Sequence, residues 1–115
     1  VDGGSEWLVD GHGCAPARLR DRVSVIALLD RIVADMDLHV VSTAVHVFGG
    51  HAGITALYLL AESHLTVHTF PESSIATLNA YCCRPRTPAA WQALLAEHLG
   101  AHDVSVRELV RGAPR

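Results

Sequence analysis

The segment ITALYLLAESHLTVHTFPESSIATLNAYCC, residues 54–83, decides the fold. Ile54 to Ala61 and His64 to Phe70 carry no helical period and read as two extended segments, broken around Glu62 and Ser63. Pro71 stops the second, and Ile75 to Cys83 makes a third. Connections this short join strands that lie antiparallel. A sharp chain feature is therefore expected at Glu62 and Ser63.

Upstream, His39 to Phe48 is rich in Val and reads as another strand, closed by Gly49, Gly50, His51, Ala52 and Gly53 in a turn of unusual dihedrals. Leu19, Val23, Ile26, Leu29, Val33 and Met36 recur at spacings of three and four, which predicts one amphipathic helix over residues 16–36 with Pro16 in its first turn. Downstream, Arg84 to Thr87 forms a linker. Thr87 is expected to cap a helix from Pro88 to Leu99, and Gly100 to stop it. Leu8 and Val9 supply a first strand, Val104 to Val110 a last one. The order predicts an α+β fold, a two-layer sandwich of a mainly antiparallel sheet with helices on one face. No internal repeat is visible.

At 115 residues and 12.3 kDa the chain has room for a single domain, residues 1–115. Hydrophobic residues at 50% against charged residues at 18% favour a packed core over disorder. The net charge is −3 and the nine arginines are scattered, so no basic stripe invites nucleic acid. No apolar run reaches the roughly 18 residues of a membrane helix, nor does Val1 to Gly4 open a signal peptide; the expected compartment is the cytoplasm. The chain has no lysine, which removes the usual anchor for pyridoxal phosphate and the P-loop cation. Cys14, Cys82 and Cys83 are an odd number, and an adjacent pair bridges only through a strained ring, so reduced thiols are expected.

Among eight histidines, His64 and His68 stand four apart. On a strand that spacing spans about 13 Å, too far for one metal, and no metal site is expected. Ser63, His68 and Cys83 together offer a hydroxyl, an imidazole and a thiol, the groups of nucleophilic acyl chemistry. Spacing alone does not bring them together, and each is more often a structural residue.

The run from Ala61 to Glu72, AESHLTVHTFPE, followed by Cys83, resembles the self-cleaving core of the bacterial S-adenosylmethionine decarboxylase family. The likeness extends through Gly13 and Cys14, Val45 to Phe48, and Gly53 to Thr55, and fades after Arg84. It implies that Ser63 attacks the carbonyl of Glu62, that the peptide bond becomes an ester, and that elimination leaves a chain 1–62 and a chain 63–115. The second would begin with a pyruvoyl group derived from Ser63, a covalent cofactor whose ketone replaces pyridoxal as electron sink. The resemblance makes His68 the proton mover in processing, Thr55 its hydroxyl assistant, and Cys83 the acid of decarboxylation. It gives Glu72 to the ribose hydroxyls of S-adenosylmethionine, Phe48 and Phe70 to the adenine, and Leu65 to the substrate pocket. For Phe48 and Phe70, plain core packing is the competing expectation. The implied product is the aminopropyl donor for polyamine synthesis, and the implied assembly is a homodimer of cleaved pairs.

The chain departs from the family at Asn79, where Asp is common, at Arg84, where Gly is usual, at Glu6, where His is common, and in its additional Cys82. Relatives with a similar processing core decarboxylate arginine or ornithine, and that is the competing substrate reading. A non-catalytic binding protein is the competing reading from another class.

Overall fold

A computed structural model describes residues 3–112. Its elements are β1 (Ser5–His12), α1 (Pro16–Leu19), α2 (Arg22–Asp35), β2 (Val40–Val47), β3 (Ile54–Leu60), β4 (Ser63–Phe70), a 3-10 turn (Pro71–Ser73), β5 (Ile75–Cys82), α3 (Trp91–Leu99) and β6 (Asp103–Val110). The six strands form one sheet in the order β2-β3-β4-β5-β1-β6, antiparallel at every pairing. This is the expected α+β arrangement.

Strand parity divides the residues of the sheet. Trp7 and Val9 of β1, Ala56 and Tyr58 of β3, Leu65 and Val67 of β4, and Leu78 and Ala80 of β5 are buried with Leu28, Leu29 and Ile32 of α2 and Leu94, Leu95 and Leu99 of α3 in one core. Truncating one such leucine costs about 2–5 kcal/mol, so this face holds the fold. Their neighbours of opposite parity form an outer face that no helix among the described residues covers, where Leu57 and Leu59 stay 44% and 50% exposed.

Two helical expectations are corrected. The single helix over 16–36 is two helices, because the Asp21 carboxylate accepts from the Val23 N–H at 3.3 Å and from the Ser24 hydroxyl at 2.7 Å, capping a new helix. The break shifts the phase: Val23 is 76% exposed, and Val25, Leu28, Leu29 and Ile32 make the buried face instead. Nor does Thr87 cap a helix. The last helix begins at Trp91 with no side-chain cap, after Trp91 and Ala89 have packed into the core; the Trp91 ring stands 6.1 Å from that of Trp7. Tertiary burial here overrides the local cap signal. Gly100 does end the helix, at a φ of 70° that suits glycine.

The loop after β2 has the unusual dihedrals expected, with φ of 70° at Gly50 and 59° at Ala52. At Gly53 a side chain is excluded outright: a Cβ would lie 2.6 Å from the carbonyl oxygen of Thr69. This close approach lets the Gly53 carbonyl accept from the Phe48 N–H at 2.8 Å and brings Phe48 beside the end of β4.

Candidate active site

β3 and β4 form a hairpin whose turn is Ala61 and Glu62, with Leu60 paired to Ser63. Across the other edge of β4, Ser63 pairs with Cys82, so Cys83 arrives beside the turn. The Glu62 carbonyl oxygen accepts from the Cys83 N–H at 3.1 Å and also from the Cys83 thiol. Two donors on one carbonyl oxygen are the arrangement that receives negative charge when a nucleophile adds to the carbonyl carbon. The next residue, Ser63, carries the hydroxyl that follows this carbonyl in the chain.

The carbonyl is held from behind. The Glu62 side chain is 5% exposed and its carboxylate accepts from the His39 N–H at 3.3 Å, with the His39 imidazole at 3.4 Å and the Arg86 guanidinium at 3.5 Å. Burial pushes this carboxyl group up, but the His39 N–H and imidazole outweigh it and keep it below its ordinary value. Glu62 therefore stays ionised at neutral pH and fixes the turn.

A side-chain relay leads away from Ser63 along the outer face. Ser63 Oγ lies 3.4 Å from His64 Nδ1, His64 Nε2 lies 2.9 Å from Asn79 Oδ1, Asn79 Nδ2 donates to Glu6 Oε2 at 2.7 Å, and Arg111 donates to Glu6 Oε1 at 2.6 Å. The Asn79 and Arg111 hydrogen bonds hold the Glu6 carboxyl below its ordinary range. A carboxylate thus stands beside Asn79, supplied by Glu6 from the neighbouring strand β1. Such a depressed group contributes stability above its ordinary value of 4.5 and loses it as pH falls through the depressed value. In a Ser63→Ala chain, Glu6→Gln should therefore lower the urea midpoint near pH 7 and lower it by less at about pH 3. An equal difference at both pH values would refute that linkage.

A second cluster stands at the far end of β4. Thr55 pairs with His68 in register, and Thr55 Oγ1 is 2.9 Å from His68 Nδ1. With Phe48, Phe70, Glu72 and His51 they line a groove of about 290 Å³. Phe48 and Phe70 are 52% and 40% exposed, which overturns core packing for both rings. Leu65 is corrected: it is fully buried among the core residues, so its side chain does not reach the groove. Within one chain His68 and Ser63 are five residues apart on a strand, about 16 Å at about 3.3 Å per residue.

His64 and His68 both lie on β4, the strand that the residues around them suggested. All three cysteines are free; burial pushes the Cys14 and Cys82 thiols up, while Cys83 is exposed. Sequence reasoning missed His39 and Arg86 as partners of Glu62, and Arg111 as the partner of Glu6. It considered His64 only as a metal ligand. The shared outward parity of Glu6, His64 and Asn79 was the one available signal for the relay.

The chain belongs to the S-adenosylmethionine decarboxylase family, whose model matches residues 5–112. It is 33% identical over 76 residues to the S-adenosylmethionine decarboxylase proenzyme of Pyrobaculum islandicum; the match covers 66% of this chain and 61% of that relative's length. It is also 31% identical over 107 residues to the arginine decarboxylase proenzyme of Ignicoccus hospitalis, covering 90% of this chain and 74% of that one. Its fold is similar to that of the adenosylmethionine decarboxylase from Aquifex aeolicus VF5, with a TM-score of 0.77, 26% identity, and coverage of 99% of this chain and 94% of that one. No helix among the described residues is long and apolar enough to cross a membrane.

Proposed function

We propose that this protein is a pyruvoyl-dependent S-adenosylmethionine decarboxylase that matures by cutting itself between Glu62 and Ser63. The observation that carries the reading is the Glu62 carbonyl, which accepts from both the N–H and the thiol of Cys83 at the start of the Ser63 strand. Ser63 Oγ adds to the Glu62 carbon while Cys83 receives the charge on oxygen, and opening of the C–N bond leaves an ester. Loss of the Ser63 Cα proton then expels the Glu62 carboxylate. The dehydroalanine that remains takes up water and releases ammonia, leaving the pyruvoyl group at the head of residues 63–115. That group supplies a ketone that condenses with the substrate amine and draws electrons as carbon dioxide departs. Cys83, beside the same position, is the acid that returns a proton to the substrate carbon.

The far cluster fits a nucleoside. Two exposed phenyl rings beside one groove can hold an adenine, and the Glu72 carboxylate offers two acceptors to a vicinal diol. An arginine or ornithine substrate would leave both rings unused. His68 and Thr55 move protons in processing, which requires them next to Ser63. A symmetric homodimer meets that requirement, because face-to-face pairing about a two-fold axis reverses one sheet over the other. The hairpin end of one protomer then lies over the groove of its partner, and the bare outer face with Leu57, Leu59 and Leu109 becomes the interface. The three free thiols suit the reducing cytoplasm, and the product would feed polyamine synthesis as an aminopropyl donor.

Intact mass tests the reading. Folded protein should resolve into residues 1–62 and a pyruvoyl-blocked fragment 63–115, and a persistent single chain would refute it. Carbon dioxide release from labelled S-adenosylmethionine, arginine and ornithine then separates the substrates. A kcat/KM at least about tenfold higher for either amino acid, roughly 1.4 kcal/mol in the transition state, would move the assignment to that substrate.

A further inference from the structure

The relay behind Ser63 fixes the protonation pattern of His64. Glu6, paired with Arg111 at 2.6 Å, is a carboxylate and can only accept, so the group that Asn79 turns toward it is the amide NH2. Asn79 therefore presents its carbonyl oxygen to His64, 2.9 Å from Nε2. That oxygen also can only accept. In the neutral imidazole the proton must then sit on Nε2, which leaves Nδ1 as a bare lone pair 3.4 Å from the Ser63 hydroxyl. The distance is long for a hydrogen bond, as resting catalytic contacts often are. Within its own chain Ser63 lies far from His68, about 16 Å by strand geometry.

We propose that His64 is the base that activates Ser63 in the first step of self-cleavage, held in the required tautomer by Asn79, Glu6 and Arg111. This rests on the self-cleavage reading above and adds a residue to it. His64 Nδ1 takes the Ser63 hydroxyl proton as Oγ bonds to the Glu62 carbon. It then gives that proton to the Ser63 nitrogen as the C–N bond breaks, so the step balances with no outside reactant. Asn79, Glu6 and Arg111 touch no reacting atom and are positioning residues. His68 and Thr55 are left to the later loss of the Ser63 Cα proton.

The test follows cleavage of the full chain from the moment of cell-free synthesis, by intact mass, with and without hydroxylamine, which cuts an ester but not a peptide bond. His64→Ala should cleave about 100-fold more slowly than the unaltered chain, the lower range for a lost general base, and hydroxylamine should not cut it. His68→Ala should instead collect an ester that hydroxylamine cuts. Asn79→Ala keeps the imidazole and frees its tautomer, and should slow cleavage about tenfold, as lost orienting partners do. The double variant Glu6→Gln with Asn79→Asp restores an acceptor to His64 Nε2 and should recover most of that loss, which a merely structural role would not predict. Normal cleavage by His64→Ala, or a hydroxylamine-sensitive ester accumulating in it, would overturn the proposal. An unaltered chain that never cleaves would instead overturn the self-cleavage reading.

Discussion

Ser63→Ala should remain one chain of 115 residues indefinitely and release no carbon dioxide from S-adenosylmethionine above background. The effect is total because one oxygen serves two ends: without Oγ no ester forms at Glu62, and without the ester no pyruvoyl group arises to act as electron sink. The fold should survive. Ser63 is only partly buried, at the start of β4, and its hydroxyl makes one long contact with His64. Thermal melting of Ser63→Ala within a few degrees of the processed protein would separate lost chemistry from lost structure. A Ser63→Ala chain that still yields fragments split at residue 62 would refute serine as the nucleophile.

The sheet was legible because its signal is local. In β5, buried and partly buried residues alternate without exception from Ile75 to Cys82, a period readable within that strand alone, whereas β2 and β6 at the sheet edges carry none. The helix split was not legible from the same kind of count. Leu19, Val23 and Ile26 keep the spacing of one continuous helix, but Asp21 forms a cap by folding its side chain onto Val23 and Ser24, a choice between two local states that periodicity does not register. The parts of the site divide in the same way. The roles of Ser63, Thr55, His68 and Cys83 came by resemblance, which says what residues do in relatives and nothing of their distances here. The Glu6 to Asn79 bond joins residues 73 positions apart and exists only through the β1–β5 register. Phe48 and Phe70 were undecidable between core and groove, since an aromatic side chain suits both; Phe70 is exposed at the outward-facing end of β4 and Phe48 in the loop just after β2.

Two inactive variants should regain activity when they share a dimer. Ser63→Ala lacks the nucleophile at the hairpin end and keeps the groove; Glu72→Ala keeps Glu62, Ser63 and Cys83 and loses the carboxylate at the groove. If each active site takes its hairpin end from one protomer and its groove from the other, a mixed dimer contains one intact site and one doubly broken one. Random pairing of equal amounts makes half the dimers mixed, so activity should return to roughly a quarter of the unaltered level. The argument depends on the separation along β4, where Ser63 opens the strand and His68 and Phe70 close it. Were both ends of one site drawn from the same chain, every dimer would carry only singly broken sites, and mixing would restore nothing. Co-expression with different affinity tags, tandem purification of the mixed dimer, which should carry roughly half the unaltered activity per dimer, and assay of carbon dioxide release read the outcome directly. Each variant alone sets the baseline. Activity of the mixed dimer no higher than the mean of the two parents would refute the shared site, while a sedimentation coefficient of a single cleaved pair would refute the dimer itself.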